Sequence, residues 1–312
     1  MLRRSGEDER RRDASADELI HDGEPLRAGP VADSFVSNAA TGPDCWMSRA
    51  IPAAASTAVS ISTMCRRRPR SARRCATDAP IGPAPRIAAS NMGAILDGSR
   101  MRLFAAAAPP FFKNGFLVSC EVTGDAVLID PGDEAPDLIA VARRTGVTVR
   151  AILLTHAHLD HVTGVDRAKA AFDVPVWLHR DDLFLYEGVV EQGRMFGLAV
   201  RPQPPIDRFY DVRAPIEFGR HVVQVRHTPG HCPGGVCLAV GSRESPSVDL
   251  FVGDTLFAGS IGRTDLPGGD HETLIRSIRR VLFEYPDPTP VHPGHGPDTT
   301  IGAERATNPF LQ

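Results

Sequence analysis

Four side chains able to bind a metal ion follow one apolar strand within six residues. The run Val149–Leu154 is nearly continuous in apolar residues, as expected of a strand buried on both faces, and the string THAHLDH comes directly after it. Its candidate ligands are His156, His158, Asp160 and His161. The first two lie two residues apart in extended chain and point to the same side, and the turn that follows can bring the other two to the same cavity. Imidazole and carboxylate groups suit divalent ions such as zinc, iron or manganese.

Three later loops repeat this arrangement, each at the end of a predicted strand. They are HTPGH with His231, GDT with Asp254 and PGHG with His295. A glycine beside each ligand lets the backbone turn sharply and lets a substrate approach. Loops at one end of a rigid scaffold are the expected place for such a site. Seven ligands are too many for one tetrahedral ion but suit two ions that share a carboxylate, so the pattern predicts a dinuclear centre.

The elements that must position these loops are predicted from apolar periodicity and turn signals. A hairpin turn at Thr123-Gly124 joins the first two strands. The predicted strands cover residues 116–122, 125–130, 149–154, 176–178, 221–226, 236–240 and 249–252, and the predicted helices cover residues 135–144, 162–172, 182–192 and 271–283. Strands in runs, broken by single helices, predict an α/β fold in which two sheets pack together with helices outside them, an αββα four-layer sandwich. We expect residues 101–312 to form it as one domain.

The motifs together resemble the metallo-β-lactamase superfamily of αββα hydrolases. The strings GDTLFAGSIGRTDLPGGD and GHGPDTTIGAERATNPF resemble more narrowly its short glyoxalase II-like branch, the hydroxyacylglutathione hydrolases. The resemblance covers residues 101–312 and implies two metal ions, zinc in the usual case and iron or manganese in others. It implies a first ion on His156, His158 and His231, a second ion on Asp160, His161 and His295, and Asp254 bridging both.

The function that this resemblance implies is hydrolysis of a thioester such as a hydroxyacylglutathione by a metal-bridged hydroxide. Asp160 is the predicted catalytic residue, which orients the hydroxide or takes part in proton transfer. Arg263 lies where related enzymes place a cation for the glutathione carboxylate, and a salt bridge with Asp265 is the equally weighted alternative. Asp265 itself falls where the larger glutathione-specific enzymes carry a tyrosine, so their substrate contacts are not all reproduced.

Several rival functions share this fold. A persulfide dioxygenase would use one iron on His156, His231 and Asp254, whereas the Leu266-Pro267-Gly268-Gly269 string and the NPF ending favour the hydrolase. A lactonase, a β-lactamase and a nuclease are further alternatives. The acidic balance of residues 101–312, with 20 basic and 26 acidic residues, disfavours the nuclease. A non-catalytic binding protein is disfavoured because a buried ligand cluster without metal would be costly.

Two neighbouring residues have weaker claims. His227, which opens HTPGH, is predicted to support a ligand or to have a structural role rather than to bind metal itself. Asp130 ends a strand near the same cavity. It is expected either to hydrogen-bond a ligand histidine or to cap the turn that follows.

Residues 1–100 differ from the rest of the chain. They carry 15 arginines and 12 acidic residues and keep no apolar period, so little burial offsets the roughly 1–2 kcal/mol per residue of backbone ordering. We predict a largely disordered segment, or a non-native extension if translation begins at Met92 or Met101. Its arginine cluster, residues 66–74, is alternatively a nucleic-acid or membrane contact.

The whole chain predicts a protein of the cytoplasm that acts on a small molecule. Its net charge of −3 offers no excess of positive charge for nucleic acid. The sequence contains no apolar run of about 18 residues for a membrane span. Its six cysteines form no C-x-x-C pair, and no signal peptide is recognised, so reduced thiols are expected. No signal of an oligomeric state was found in the sequence.

Overall fold

The computed structural model describes residues 88–90, 100–243 and 245–312. A seven-stranded sheet runs in the order β1 to β7, and a six-stranded sheet in the order β15-β14-β11-β10-β9-β8. The strands of the first sheet are β1 Ala88–Ser90, β2 Met101–Ala108, β3 Lys113–Cys120, β4 Asp125–Ile129, β5 Thr148–Leu153, β6 Val176–Leu178 and β7 Arg208–Phe209. Those of the second are β8 Ile216–Phe218, β9 His221–His227, β10 Val236–Ser242, β11 Val248–Gly253, β14 Pro290–Pro293 and β15 Thr299–Thr300. A small hairpin pairs β12 Leu256–Phe257 with β13 Ser260–Ile261.

Helices cover the outer faces of both sheets. They are α1 Ala135–Thr145, α2 Leu159–Val162, α3 Val165–Phe172, α4 Leu183–Glu187, α5 Val189–Met195, α6 His271–Val281 and α7 Ile301–Thr307, with 3₁₀ turns at Arg180–Asp182 and Leu282–Glu284. Among the helices that the structure describes, none is both long and apolar enough to cross a membrane. The predicted location in the cytoplasm stays a prediction.

Alternation along the strands divides the core into three apolar layers. On β3, Phe116 and Val118 face the second sheet and meet Phe251, whereas Leu117 faces outward and packs with Leu138 of α1. The outer face of the second sheet is likewise covered by helices. There Ala239 and Leu250 pack against Leu274 and Ile278 of α6 and Ile301 of α7. Three apolar layers between four structural layers confirm the predicted αββα sandwich.

Some elements differ from their predictions. The helix predicted over residues 162–172 begins later, as α3 at Val165, and the short helix α2 precedes it. Between the two helices, the backbone at Gly164 lies so close to the Gly132 carbonyl oxygen that a side chain would clash with it. Strand β2 was not predicted. Its sequence MRLFAAAA is poor in β-branched residues, but all eight positions pair with β3.

The predicted domain boundary at residue 100 lies between strands β1 and β2. The backbone of Ala88–Ser90 pairs antiparallel with β2, so regular structure begins upstream of that boundary. The predictions for residues 1–87 and 91–99, including the arginine cluster, lie outside the described residues. Cys120, Cys232 and Cys237 are the described cysteines, and all three are buried and free of disulfides.

Candidate metal centre

The first sheet supplies four of the seven predicted ligands at one edge. Strands β4, β5 and β6 are parallel, so their carboxyl ends lie on the same side of the sheet. The chain leaves β5 and passes directly through His156 and His158. It then turns into the short helix α2, whose first turn carries Asp160 and His161. The predicted turn that brings the last two residues round is therefore a helical one.

The second sheet supplies the other three ligands. His231 lies in the connection between β9 and β10, Asp254 follows β11, and His295 follows β14. Because β11 and β14 are parallel, their carboxyl ends also share one edge. Asn114 of β3 bonds the His295 loop: its backbone N–H donates to the carbonyl of Gly294 at 2.7 Å, and its side-chain amide donates to the carbonyls of Pro293 and Gly296. The first sheet is thereby joined to this loop.

The ligands gather into two clusters. The first cluster is His156, His158 and His231, and the second cluster is Asp160, His161 and His295; in each, one ligand atom per residue lies within 4.8 Å of the others. In the first, Nδ1 of His158 and Nε2 of His231 are 2.7 Å apart. In the second, Nε2 of His295 lies 3.1 Å from Oδ2 of Asp160. Six of the seven predicted ligand residues therefore form two clusters.

Asp254 lies between the two clusters. Its Oδ1 is 3.3 Å from Nε2 of His161, and its Oδ2 is 3.7 Å from Nε2 of His231 and 3.6 Å from Nε2 of His295. One carboxylate therefore contacts both groups. This is the position that a ligand shared by two ions requires.

Hydrogen bonds turn three histidines toward the centre through Nε2. Nδ1 of His231 donates to the carbonyl of Arg263 at 2.7 Å, and Nδ1 of His161 contacts Asp130 Oδ2 at 2.9 Å. The Thr155 hydroxyl donates to Asp130, so it accepts from Nδ1 of His156 at 3.1 Å. With the Nδ1 proton assigned to each outer bond, Nε2 is the ring atom that faces the centre and that would bind a metal ion. Such outer bonds are how proteins orient metal-binding imidazoles.

The buried atoms left without a partner test whether metal ions fit this site. Nε2 of His156, Nε2 of His161 and Oδ1 of Asp254 are all buried and make no hydrogen bond. Buried polar atoms without partners are costly, and paired imidazole and carboxylate donors are a divalent-ion ligand set. The residues present therefore fit a pair of divalent ions.

The two clusters differ in charge. Burial lowers the pKa of His158 to about 3, and repulsion from His231 adds to this. Burial and the neighbouring His161 also lower the pKa of His156 well below its ordinary value. These two imidazoles of the first cluster are thus neutral and ready to act as ligands.

The second cluster instead attracts positive charge. Burial would lower the pKa of His161, but Asp160, Asp254 and Asp130 raise it to about 10. Burial would likewise raise the pKa of Asp160, which His161 and His295 lower to about 2. Three carboxylates around one imidazole create a site that favours a cation.

Three residues near the site have roles that the sequence did not predict or left open between two alternatives. Asp130, at a left-handed φ of 48°, accepts bonds from Thr155 and His161, which resolves its two predicted roles in favour of support for a ligand histidine. Lys113 donates to the Asp130 carbonyl and forms a buried ion pair with Glu134 at 2.6 Å. A lysine at the start of a strand gives no sequence signal of burial, so only the packing reveals this pair.

Arg263 and His227, which were not predicted as metal ligands, lie beside the clusters. The guanidinium of Arg263 makes two contacts of 2.7 Å with the Asp265 carboxylate, so the predicted salt bridge is present. His227 belongs to neither cluster: its Nε2 donates to the carbonyl of Pro233 at 2.9 Å, and its ring stacks on His179. This supports the structural role predicted for His227.

Comparisons with known proteins agree with this geometry. Residues 108–297 match the family model of the metallo-beta-lactamase superfamily, and the chain belongs to that superfamily. Hydroxyacylglutathione hydrolase GloC of Haemophilus influenzae is 40% identical over 207 residues, which are 63% of this chain and 93% of that protein. These matches confirm the resemblance predicted from the sequence.

Two solved structures are also similar. A di-iron-bound form of TTHA1623 is 46% identical with a TM-score of 0.60, covering 67% of this chain and 100% of that one. The BLEG-1 B3 metallo-beta-lactamase is 37% identical with a TM-score of 0.61, covering 67% of this chain and 99% of that one. The chain is therefore an enzyme of this superfamily, with a site whose donors fit two metal ions.

Proposed function

We propose that the protein is a dinuclear metal-dependent hydrolase that cleaves a thioester, such as a hydroxyacylglutathione, to a free acid and a thiol. The observation that carries the proposal is the gathering of seven ligands into two clusters that share Asp254. The similarity to GloC supports the thioester class. Divalent ions bound here would lower the pKa of water toward about 7 and polarise a carbonyl.

Each cluster would hold one ion. His156, His158 and His231 would hold the first, Asp160, His161 and His295 the second, and Asp254 would bind both. Zinc is the proposed occupant, with iron as the alternative that the di-iron form of the similar TTHA1623 supports. Manganese is a further candidate for the same donor set.

The chain's own residues would then orient the attack. Asp160, with its pKa held at about 2, is ionised at neutral pH and able to accept a hydrogen bond from the attacking water, which would orient it. It is also held by Nε2 of His295. Water adds to the thioester carbonyl carbon, the carbon–sulfur bond breaks, and the thiol leaves with a proton.

Arg263 is proposed to bind the carboxylate of the substrate thiol. Its backbone carbonyl bonds His231, so the residue lies directly beside the first cluster. Its guanidinium is already paired with Asp265, and the substrate carboxylate would share or replace that partner. Replacing Arg263 by Ala should raise KM about tenfold for a carboxylate-bearing thiol with little change in kcat. A thioester of a neutral thiol serves as the control substrate.

The mononuclear dioxygenase needs only two histidines and one aspartate, and it leaves the second cluster without a role. This cluster is complete, which favours the hydrolase. The test measures metal per chain in the purified full-length protein and assays S-D-lactoylglutathione, a chromogenic cephalosporin, and glutathione persulfide under oxygen. We expect two ions and thioester turnover. One iron with oxygen uptake, or turnover of the cephalosporin alone, would contradict the proposal.

Two variants sharpen this test. Asp160→Asn should lower kcat for the thioester by about 100-fold or more, because it removes the ionised group beside the attacking water. His271→Ala is the matched control, since this histidine is exposed at the start of α6 and belongs to neither cluster. Equal activity of the two variants would refute the role of Asp160.

A further inference from the structure

One buried carboxylate outside the clusters is bonded to both loops that form the first cluster. Asp182 ends the 3₁₀ turn that follows β6 and is fully buried. Its Oδ2 accepts the backbone N–H of Ala157 at 3.2 Å and the thiol of Cys232 at 3.1 Å. Its Oδ1 accepts the backbone N–H of Gly234 at 2.6 Å. Three donors therefore converge on one side chain.

These donors come from two separate parts of the chain. Ala157 stands between His156 and His158, at the end of the first sheet, and Cys232 directly follows His231, at the end of the second. The first cluster exists only if these two loops keep a fixed separation. Asp182 is bonded to both, so it spans the joint between the sheets at the point where the ligands meet.

The packing leaves little freedom at this joint. A side chain at Gly234 would place its Cβ 2.6 Å from the Asp182 backbone nitrogen and 2.8 Å from its Cγ, so the loop needs a glycine to approach the carboxylate. The second cluster has a different support, since Asp130 bonds His161. Among the hydrogen bonds described for Asp182, none reaches a residue of the second cluster.

We propose that Asp182 is a positioning residue that sets the separation of the two loops of the first cluster, and thereby the metal affinity of that cluster but not of the second. The inference rests on the proposed function only in requiring that the clusters bind metal. It needs no particular substrate. Loss of a residue that orients metal ligands typically weakens metal binding 10- to 100-fold.

The test titrates zinc into the full-length chain against a chromophoric chelator. Asp182→Asn keeps the size of the side chain but replaces the carboxylate by an amide. It should weaken the binding of one of the two zinc ions by about 10- to 100-fold. In a His295→Ala background, where the first cluster is the intact one, the same loss should persist. Asp181→Asn is the matched control, because this neighbouring carboxylate is exposed, and it should leave both affinities unchanged.

A second pair of variants tests the same link if Asp182→Asn does not fold. Cys232→Ala removes the thiol donor and should weaken the binding of the same zinc ion by about tenfold at most. Cys232→Ser restores a hydroxyl donor and should recover the affinity. Recovery by serine would not follow from a loss of apolar packing alone, because serine packs no better than alanine.

The outcomes separate the two proposals. Unchanged affinities in Asp182→Asn, or an equal loss at both ions together with a lower melting temperature of the metal-free chain, would overturn the positioning role. Failure of serine to restore what alanine removes would do the same. A parent chain that binds zinc but cleaves no thioester would refute the proposed substrate and leave this role standing, whereas a parent that binds no zinc would refute both.

Discussion

The buried ion pair beneath the site makes a sharp prediction about stability. Replacing Lys113 by Met removes the positive partner of Glu134, and both side chains are only 1% exposed. Glu134 would keep the backbone N–H of Gly132, at 2.9 Å, as a partner for its Oε1. One neutral donor does not compensate a buried carboxylate, and the Asp130 carbonyl loses its donor as well.

The expected magnitude follows from this geometry. Breaking a buried pair on one side typically costs about 3–5 kcal/mol, because an uncompensated charge remains. That is a large part of the roughly 5–15 kcal/mol by which a domain is stable. The double variant Lys113→Met, Glu134→Leu removes both charges and should cost clearly less than the two single changes summed. The pair is thus predicted to be coupled rather than additive.

Urea unfolding of the parent chain, Lys113→Met, Glu134→Leu and the double variant measures this coupling. With a slope of about 1–3 kcal/mol per molar of urea, a loss of about 3–5 kcal/mol in Lys113→Met should shift the midpoint downward by about 1–5 M. Arg194→Met is the control, since its pair with Glu191 at 2.9 Å is exposed on both sides and should contribute less than about 1 kcal/mol. A Lys113→Met variant no less stable than Arg194→Met, or effects that add within about 0.5 kcal/mol, would refute the reasoning.

Three further predictions concern the site and its surroundings. Gly294→Ala should lose one ion per chain by elemental analysis, because the new Cβ would lie 2.7 Å from Cε1 of His161 and closer still to Asp254; two retained ions would contradict this. Asn308→Ala should lower the free energy of unfolding by about 1–3 kcal/mol in urea, because it strips a buried partner from Glu304; no change would contradict it. Chelation of both ions should lower Tm by about 10 °C in calorimetry, since tight ligands stabilise the folded state by mass action, and an unchanged Tm would count against bound metal.

The ligands could be predicted because strand ends and ligand types coincide in the sequence. An apolar run such as Val149–Leu154 marks a buried strand, and parallel strands bring their ends to one edge, so the histidines after them must approach each other. The order of the motifs then suffices to indicate two ions. The site is predictable to this extent because each ligand is adjacent in sequence to the element that places it.

The supports of the ligands could not be predicted in this way. Asp182 lies 25 residues from Ala157 and 52 residues from Gly234, and Lys113 lies 21 residues from Glu134. Such bonds depend on how strands are ordered in a sheet and not on local pattern. The close approach of Gly132 to Gly164, between α2 and α3, is a contact of the same long-range kind.

The C-terminal string that resembles the hydrolase branch has a structural explanation in this chain. Nδ2 of Asn308 donates to the carbonyl of Ser260 at 2.9 Å, and Glu304 accepts the N–H of Gly259, so α7 fastens the small hairpin of β12 and β13. On that hairpin, the Phe257 ring lies edge-on to His295, with centroids 6.1 Å apart. The string thus contains one ligand of the second cluster, His295, and its later residues hold the hairpin that packs on that ligand.

Because of this structural role, the presence of the C-terminal string does not identify the substrate. A motif that holds a metal ligand in place is required for any chemistry performed by the two clusters, including reactions other than thioester hydrolysis. Discrimination between substrates must come instead from groups that face the substrate, and the pairing of Arg263 with Asp265 is the charged candidate beside the first cluster. Kinetics of Arg263 variants on charged and neutral thiols therefore test the substrate class more directly than similarity in the C-terminal string does.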